Sequence, residues 1–186
     1  MKYENSWLAV VKLIEIINKK TPKLRIGKVA FQDLCYLLAR EGVYLNVKFL
    51  RKHHGVGVNN YVEMLEILKR KGYITVDKVG KGYDIRASLY LKDELNDIPI
   101  TYKTLSNKVY FLLEDVSTTE EIDLMTSIIY LYDKHRGISS IEELYDTLTE
   151  WRTYYRGRYK DICKCVDKLN KNDCICVGMY QQQRFI

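Results

Sequence analysis

The sequence predicts a mainly α-helical protein with small β-hairpins (α+β), arranged as two winged-helix-like halves packed as one compact unit. Apolar residues recur at helical spacing along most of the chain, and the pattern changes to a period of two near the end of each half. The chain has 186 residues, of which 47% are hydrophobic, with only 10 Gly and 2 Pro, as is typical of a folded globular protein. Turn-forming residues between Lys92 and Thr101 divide the chain into residues 1–94 and 95–186.

Three helices are predicted in the first half. The first follows Ser6 and stops at Thr21-Pro22, because proline cannot continue a helix. The second spans about Lys28 to Arg40, and the third begins at Asn59 or Asn60. The side chains predicted to face inward from the third helix are Val62, Leu65 and Leu68.

Extended segments lie before and after the third helix. Val43 to Leu50 is predicted to be extended and to lead into a turn at Gly55-Val56-Gly57. Tyr73 to Asp77 and Tyr83 to Leu89 alternate around Gly80-Lys81-Gly82, which predicts a β-hairpin. Three helices followed by a hairpin with a basic turn is the order of a winged helix.

The second half predicts helices and a shorter hairpin. A helix spans Tyr102 to Leu113, and the capping-box spacings at Ser117 to Glu120 and at Ser140 to Glu143 each begin another. A last helix starts near Arg158. Its predicted buried side chains are Ile162, Val166 and Leu169, and the predicted strands after it are Cys174–Val177 and Gln182–Phe185.

Positive charge is concentrated in the first half. Residues 1–94 carry 18 Lys/Arg and 10 Asp/Glu, a net charge of +8, whereas residues 95–186 carry 12 and 14, a net charge of −2. This charge has two possible explanations: a solvated surface, or duplex DNA binding by the third helix and the hairpin. Glu63 and Glu66 on the third helix argue against DNA binding, because phosphates would repel their carboxylates. The candidate nucleic-acid-binding residues are Lys48, Arg51, Lys52, Lys69, Arg70, Lys71, Lys78 and Lys81.

Catalytic and metal-binding motifs are missing from the sequence. It has no zinc-protease helix motif, P-loop or nucleophile elbow, so we predict no enzyme, no catalytic residue and no cofactor. His53 and His54 are the alternative for acid–base or metal chemistry, although adjacent side chains diverge. The four residues Cys163, Cys165, Cys174 and Cys176 raise the hypothesis of a zinc site. Cysteines two residues apart on a helix lie about 200° apart around its axis, so we expect core thiols and no metal site.

The remaining sequence features concern the compartment. The cysteine count is odd, at 5, which fits reduced thiols, and the N-terminal residues lack a signal-peptide pattern. No apolar run approaches the about 20 residues that cross a bilayer. A cytoplasmic protein without a membrane partner is therefore expected.

Several motifs occur in an order that is known from one family. The segment from Ile26 to Leu38 contains Phe31-Gln-Asp-Leu-Cys-Tyr36, His54-Gly55 follows, and a later helix ends in Gly72-Tyr-Ile74. Trp151 with nearby arginines comes before the closing helix. This order resembles the YwgA-like group and the C-terminal domain of DarG-type antitoxins, with a Gln-Lys-Leu-x-Tyr helix and a His-Tyr-Gly-Pro-like turn. The chain departs from it at Asp33, where the pattern has lysine, and in lacking the proline after Gly55.

The resemblance implies a non-enzymatic, winged-helix-like recognition module. In DarG such a domain helps to neutralise the DNA-modifying toxin DarT, so a protein partner such as a cognate toxin is expected, with a DNA-binding regulator as the alternative. The expected surface includes the corner from Trp151 to Tyr159, because interleaved aromatics and arginines form interface hot spots or stack on bases. Core packing is the alternative for some positions. The candidate partner-binding residues are Gln32, Tyr36, His54, Asn60, Trp151, Arg152, Arg156 and Arg158.

Overall fold

The computed structural model describes residues 4–89, 98–135 and 137–178. It is 57% helical, and the described residues form seven α-helices and two antiparallel hairpins, which confirms the predicted mainly α-helical α+β fold. No helix in these ranges is long and apolar enough to span a membrane. The helices are α1 (Glu4–Lys20), α2 (Lys28–Arg40), α3 (Tyr61–Arg70), α4 (Ile100–Leu112), α5 (Thr119–Lys134), α6 (Ile141–Trp151) and α7 (Tyr159–Lys171).

The first hairpin differs from its prediction. Its strands are β1 (Phe49–Lys52) and β2 (Gly55–Val58), so the glycines of Gly55-Val56-Gly57 lie in a strand rather than in the turn. The turn is formed by His53 and His54. Gly55 begins β2 with φ +125°, a conformation that glycine adopts without steric cost. The predicted strand from Val43 is correspondingly shorter and begins only at Phe49.

The second hairpin is close to its prediction. Its strands are β3 (Ile74–Val79) and β4 (Gly82–Ala87), which pair antiparallel with Val79 opposite Gly82. The two-residue turn between them places Gly80 at φ +59°, where glycine is favoured. The Ile85 N–H also donates to the Ile26 carbonyl at 2.8 Å, which joins β4 to the segment before α2.

The described residues divide into two compact units. Unit 1 contains the residues up to Lys52 and Val56–Asp123, and unit 2 contains His53–Gly55 and the residues from Leu124 onward. The sequence predicted one compact unit with a boundary after residue 94, a position outside the described residues. Helix α4 belongs to unit 1 because it packs on α1, where the Ser106 hydroxyl donates to the Ala9 carbonyl at 3.0 Å.

The third helix differs from its prediction in which apolar residue faces outward. Leu65 and Leu68 are buried as predicted, and Met64 completes the apolar face. Val62, which was predicted to face inward, is 55% exposed. The helix turns by about 100° per residue, so a buried side formed by Met64, Leu65 and Leu68 has its centre about 110° from Val62, which therefore lies on the outer side.

Polar side chains cap the starts of α5 and α6 in the second half. The Ser140 hydroxyl accepts from the Glu143 N–H at 3.2 Å, which confirms the predicted cap of α6. The cap of α5 is shifted by one residue from the prediction, because Thr118, not Ser117, accepts from the Glu121 N–H at 3.3 Å.

The predicted buried face of α7, formed by Ile162, Val166 and Leu169, is confirmed.

The first strand of the predicted C-terminal hairpin is wrong. Cys174–Val177 forms no strand, and Gln182–Phe185 lies outside the described residues. The Asn170 side chain explains the difference, because its Nδ2 donates to the Val177 carbonyl at 2.8 Å and its Oδ1 accepts from the Val177 N–H at 3.1 Å. These two bonds occupy the backbone groups that a strand partner would use.

Candidate functional site

Two predicted partner-binding residues lie inside unit 1. Gln32 is 3% exposed, its Nε2 donates to the Lys28 carbonyl at 3.0 Å, and its Oε1 accepts from the Val58 N–H at 2.9 Å. Tyr36 is also buried, and its ring meets Phe49 edge-on at 5.2 Å between centroids. Both side chains therefore connect α2 to the first hairpin and offer little surface to a partner.

The other two residues of that set are more accessible. Asn60 is exposed at the start of α3, and its side chain makes no capping bond. His54 is half-buried, and its ring lies edge-on to His53 with 3.3 Å between the two Nδ1 atoms. Within residues 4–89, 98–135 and 137–178, no group of three His, Cys, Asp or Glu is placed to hold a metal ion.

The second predicted set forms a corner in unit 2, which we call the α6–α7 corner (residues 151–159). A 3-10 turn, Thr153–Tyr155, follows α6, and Gly157 reverses the chain with φ +78° before α7. The Gly157 N–H donates to the Tyr145 hydroxyl at 3.1 Å, which fixes the turn to α6. The corner is thus fixed by a 3-10 turn, one left-handed glycine and a bond back to α6.

The inner layer of the corner is an arginine stacked on a buried tyrosine. Tyr155 is fully buried, and the Arg152 guanidinium lies 5.0 Å from its ring centroid. Arg152 is only 8% exposed, and its Nη1 donates to the Ser127 hydroxyl at 3.1 Å. Half-buried Trp151 contacts Tyr130 with tilted rings and 5.6 Å between their centroids, so Trp151 and Arg152 connect the corner to α5. Arg152 was predicted to contact a partner, but its guanidinium instead packs inside the corner.

The outer layer presents aromatic and cationic groups to solvent. Tyr154 is 62% exposed, yet its ring lies 5.3 Å from Tyr155 and 5.3 Å from the Arg158 guanidinium. Arg158 in turn donates to Asp161 at 3.0 Å, an interaction that raises the pKa of the guanidinium. Arg156 is exposed at the tip of the turn. Tyr154 is therefore ordered by neighbours and accessible to a partner.

A hydrogen-bonded tyrosine, Tyr159, is the last residue of the corner. The Tyr159 hydroxyl donates to Glu142 at 3.2 Å, and its ring meets Tyr145 edge-on at 5.2 Å. Burial, with smaller contributions from Cys163 and Glu142, raises the pKa of Tyr159 to about 12. Burial likewise raises the pKa of the Cys163 thiol. Both shifts favour the neutral form of the group.

Stability at high pH should depend on Tyr159. A raised pKa means that the unfolded chain ionises first, so the stability that Tyr159 contributes is complete below pH 10 and declines as the pH approaches about 12. Denaturant titrations of the wild type and of Tyr159→Phe at increasing pH would measure this. The variant should lose less stability than the wild type across this interval, and parallel losses would contradict the assignment.

The predicted nucleic-acid-binding residues all lie in unit 1, most of them at its surface. Lys52 is half-buried, because its stem lies against Gly57 and its ammonium is 5.6 Å from the Tyr61 ring centroid. The outer side of α3 carries Glu63 and Glu66 beside Arg70. The exposed members of the set are Lys48, Arg51, Lys69, Arg70, Lys71, Lys78 and Lys81.

Several contributing residues had no signal in the sequence. Ser127 is 25 positions from its partner Arg152, and Tyr145 lies on a different element from Gly157. Lys28 and Tyr83 are also far apart in the chain, yet the Lys28 ammonium is 3.8 Å from the Tyr83 ring centroid. Only the fold brings these pairs together, because none of the spacings corresponds to a helical or strand repeat.

No protein-family model and no curated protein matches the chain. The resemblance to the YwgA-like group therefore stays a prediction.

Proposed function

We propose that the protein is a non-enzymatic recognition module that binds a protein partner through the α6–α7 corner. The observation that supports this proposal is that Tyr154 is both accessible and ordered: its side chain is 62% exposed, and its ring packs on Tyr155 and Arg158. Tyrosine and arginine are enriched at interface hot spots. A side chain ordered before binding loses less conformational entropy when a partner arrives.

The neighbouring residues add directional groups to this surface. Arg156 is exposed beside Tyr154 and supplies five N–H donors for backbone carbonyls or carboxylates of a partner. Arg152 and Tyr155 support the surface from within, and half-buried Trp151 adds to this support. The contact residues of the proposal are therefore Tyr154, Arg156 and Arg158, while Arg152 and Tyr155 position them.

The motif resemblance suggests the class of partner. A module similar to the DarG antitoxin domain would act in the cytoplasm on a toxin by binding rather than by chemistry. Five free cysteines agree with a reducing compartment. We therefore propose a cytoplasmic protein partner, with a toxin encoded beside this chain as the first to be tested.

Site-specific photo-crosslinking tests the proposal. A photoreactive phenylalanine analogue replaces Tyr154 in the full chain, which is co-expressed with the products of the neighbouring genes. We expect one partner to be crosslinked at position 154 and the crosslink to be lost when Arg156→Ala is added. Rescue of growth from a toxic neighbour would identify that partner as a toxin.

The matched control is the same analogue at Tyr44, which is 66% exposed and lies in unit 1. The two probes are thus almost equally exposed, so a difference in crosslinking yield between positions 44 and 154 reports on the surface around each probe. Equal crosslinking at both positions, or none at position 154, would contradict a binding surface at the corner.

A further inference from the structure

An aromatic ring with lysines around it lies at the end of the second hairpin. The Lys28 ammonium, from the first residue of α2, is 3.8 Å from the Tyr83 ring centroid. Tyr83 is 39% exposed, so the ring has both a cation against it and an accessible surface. We call Lys28, Lys78, Lys81 and Tyr83 the hairpin patch.

The strand register places the positive charges together. Lys78 pairs directly with Tyr83, and directly paired residues share a face of the hairpin with Cβ atoms about 5 Å apart. Lys81 is exposed in the turn next to them. The hairpin patch therefore gathers three lysines around one tyrosine.

The acidic residues of the hairpin lie on its opposite face. Asp77 pairs with Asp84, one position from the pair formed by Lys78 and Tyr83, and successive residues of a strand point to opposite faces. The Asp84 carboxylate accepts from Arg86 at 2.9 Å. In the part of the chain that the structure describes, no carboxylate forms an ion pair with Lys28, Lys78 or Lys81. Among the described residues, the three lysines of the patch are thus not paired with a carboxylate.

We infer that the hairpin patch binds the phosphate backbone of duplex nucleic acid without reading its sequence. Lysines provide the charge that displaces counterions from phosphates, and the exposed tyrosine adds a surface for sugar or base contact. The inference differs from a mode in which α3 enters the major groove. The outer side of α3 carries Glu63 and Glu66, which phosphates would repel.

This inference goes beyond the proposed function and does not depend on it. The hairpin patch lies in unit 1, whereas the α6–α7 corner lies in unit 2. Loss of partner binding at the corner and loss of nucleic-acid binding at the hairpin can therefore be measured on separate variants of the full chain.

The test is fluorescence anisotropy with a labelled random-sequence DNA duplex. If three phosphates are neutralised, affinity should fall about 40-fold between about 50 and 200 mM salt. The triple variant Lys28→Gln, Lys78→Gln, Lys81→Gln should bind more weakly at low salt, and the slope of log affinity against log salt for its remaining binding should be smaller by about 2.7. Lys81→Glu alone, in an exposed turn, should weaken binding without affecting folding.

The matched control removes three positive charges elsewhere in unit 1, with Lys69→Gln, Arg70→Gln and Lys71→Gln. This variant should keep most of the affinity and the salt slope of the wild type. Equal losses in both triple variants would show a diffuse charge effect and overturn the inference. Absence of DNA binding by the wild type at low salt would also overturn it. The same holds if poly-glutamate displaces the labelled duplex as well as unlabelled DNA does at an equal concentration of charges.

Discussion

Replacing Tyr155 by alanine should lower the free energy of unfolding by about 3–5 kcal/mol, the cost of truncating a buried aromatic residue. Tyr155 is fully buried and lies 5.0 Å from the Arg152 guanidinium, so the substitution creates a cavity and removes the cation–π contact. Urea denaturation monitored by circular dichroism would measure the loss.

The neighbouring tyrosine is the control for this substitution. Tyr154 is 62% exposed, so Tyr154→Ala should change the free energy of unfolding by about 0.5 kcal/mol or less. The two substitutions remove the same atoms from adjacent positions. If both variants lost the same stability, the division of the corner into a supporting inner layer and an accessible outer layer would be incorrect.

Replacing Gln32 by methionine should cost about 1–3 kcal/mol, the penalty for leaving a buried donor unsatisfied. The Gln32 Oε1 accepts from the Val58 N–H at 2.9 Å, and Val58 is fully buried. Methionine keeps the approximate shape and removes the acceptor. Thermal unfolding of the variant would show the effect as a lowered midpoint.

Asn60→Ala provides the comparison for Gln32→Met. The sequence predicted both residues as partner contacts, but Asn60 is exposed and makes no capping bond. Its loss should leave stability nearly unchanged. A stability loss at Asn60 equal to that at Gln32 would contradict the different positions that the structure gives them.

The helices could be predicted because their signals are local. Apolar spacing identified the buried face of α7, and the Ser140 and Glu143 pair identified the cap of α6. One error occurred where a side chain of the preceding helix binds the backbone of the segment. Asn170 binds both backbone groups of Val177 and so replaces the predicted strand, and no periodicity encodes such a bond.

The candidate site could be predicted only as a segment of sequence. The interleaved aromatics and arginines after Trp151 indicated the corner, but not which residues are inside it. Arg152 is inside, where its guanidinium donates to Ser127 and lies over the Tyr155 ring, whereas Arg156 is outside on the turn before Gly157. The pairing of Lys28 with Tyr83 depends on the docking of β4 beside the start of α2, which sequence spacing does not report.

The separation of folding from recognition at the corner is tested most directly with Tyr154→Ala in the full chain. Its unfolding free energy and its affinity for the partner crosslinked at position 154 are measured on the same preparation. We expect unchanged stability and an affinity lowered about 30-fold, the loss of a hot spot of about 2 kcal/mol. Unchanged affinity in a folded Tyr154→Ala variant would contradict recognition through the α6–α7 corner.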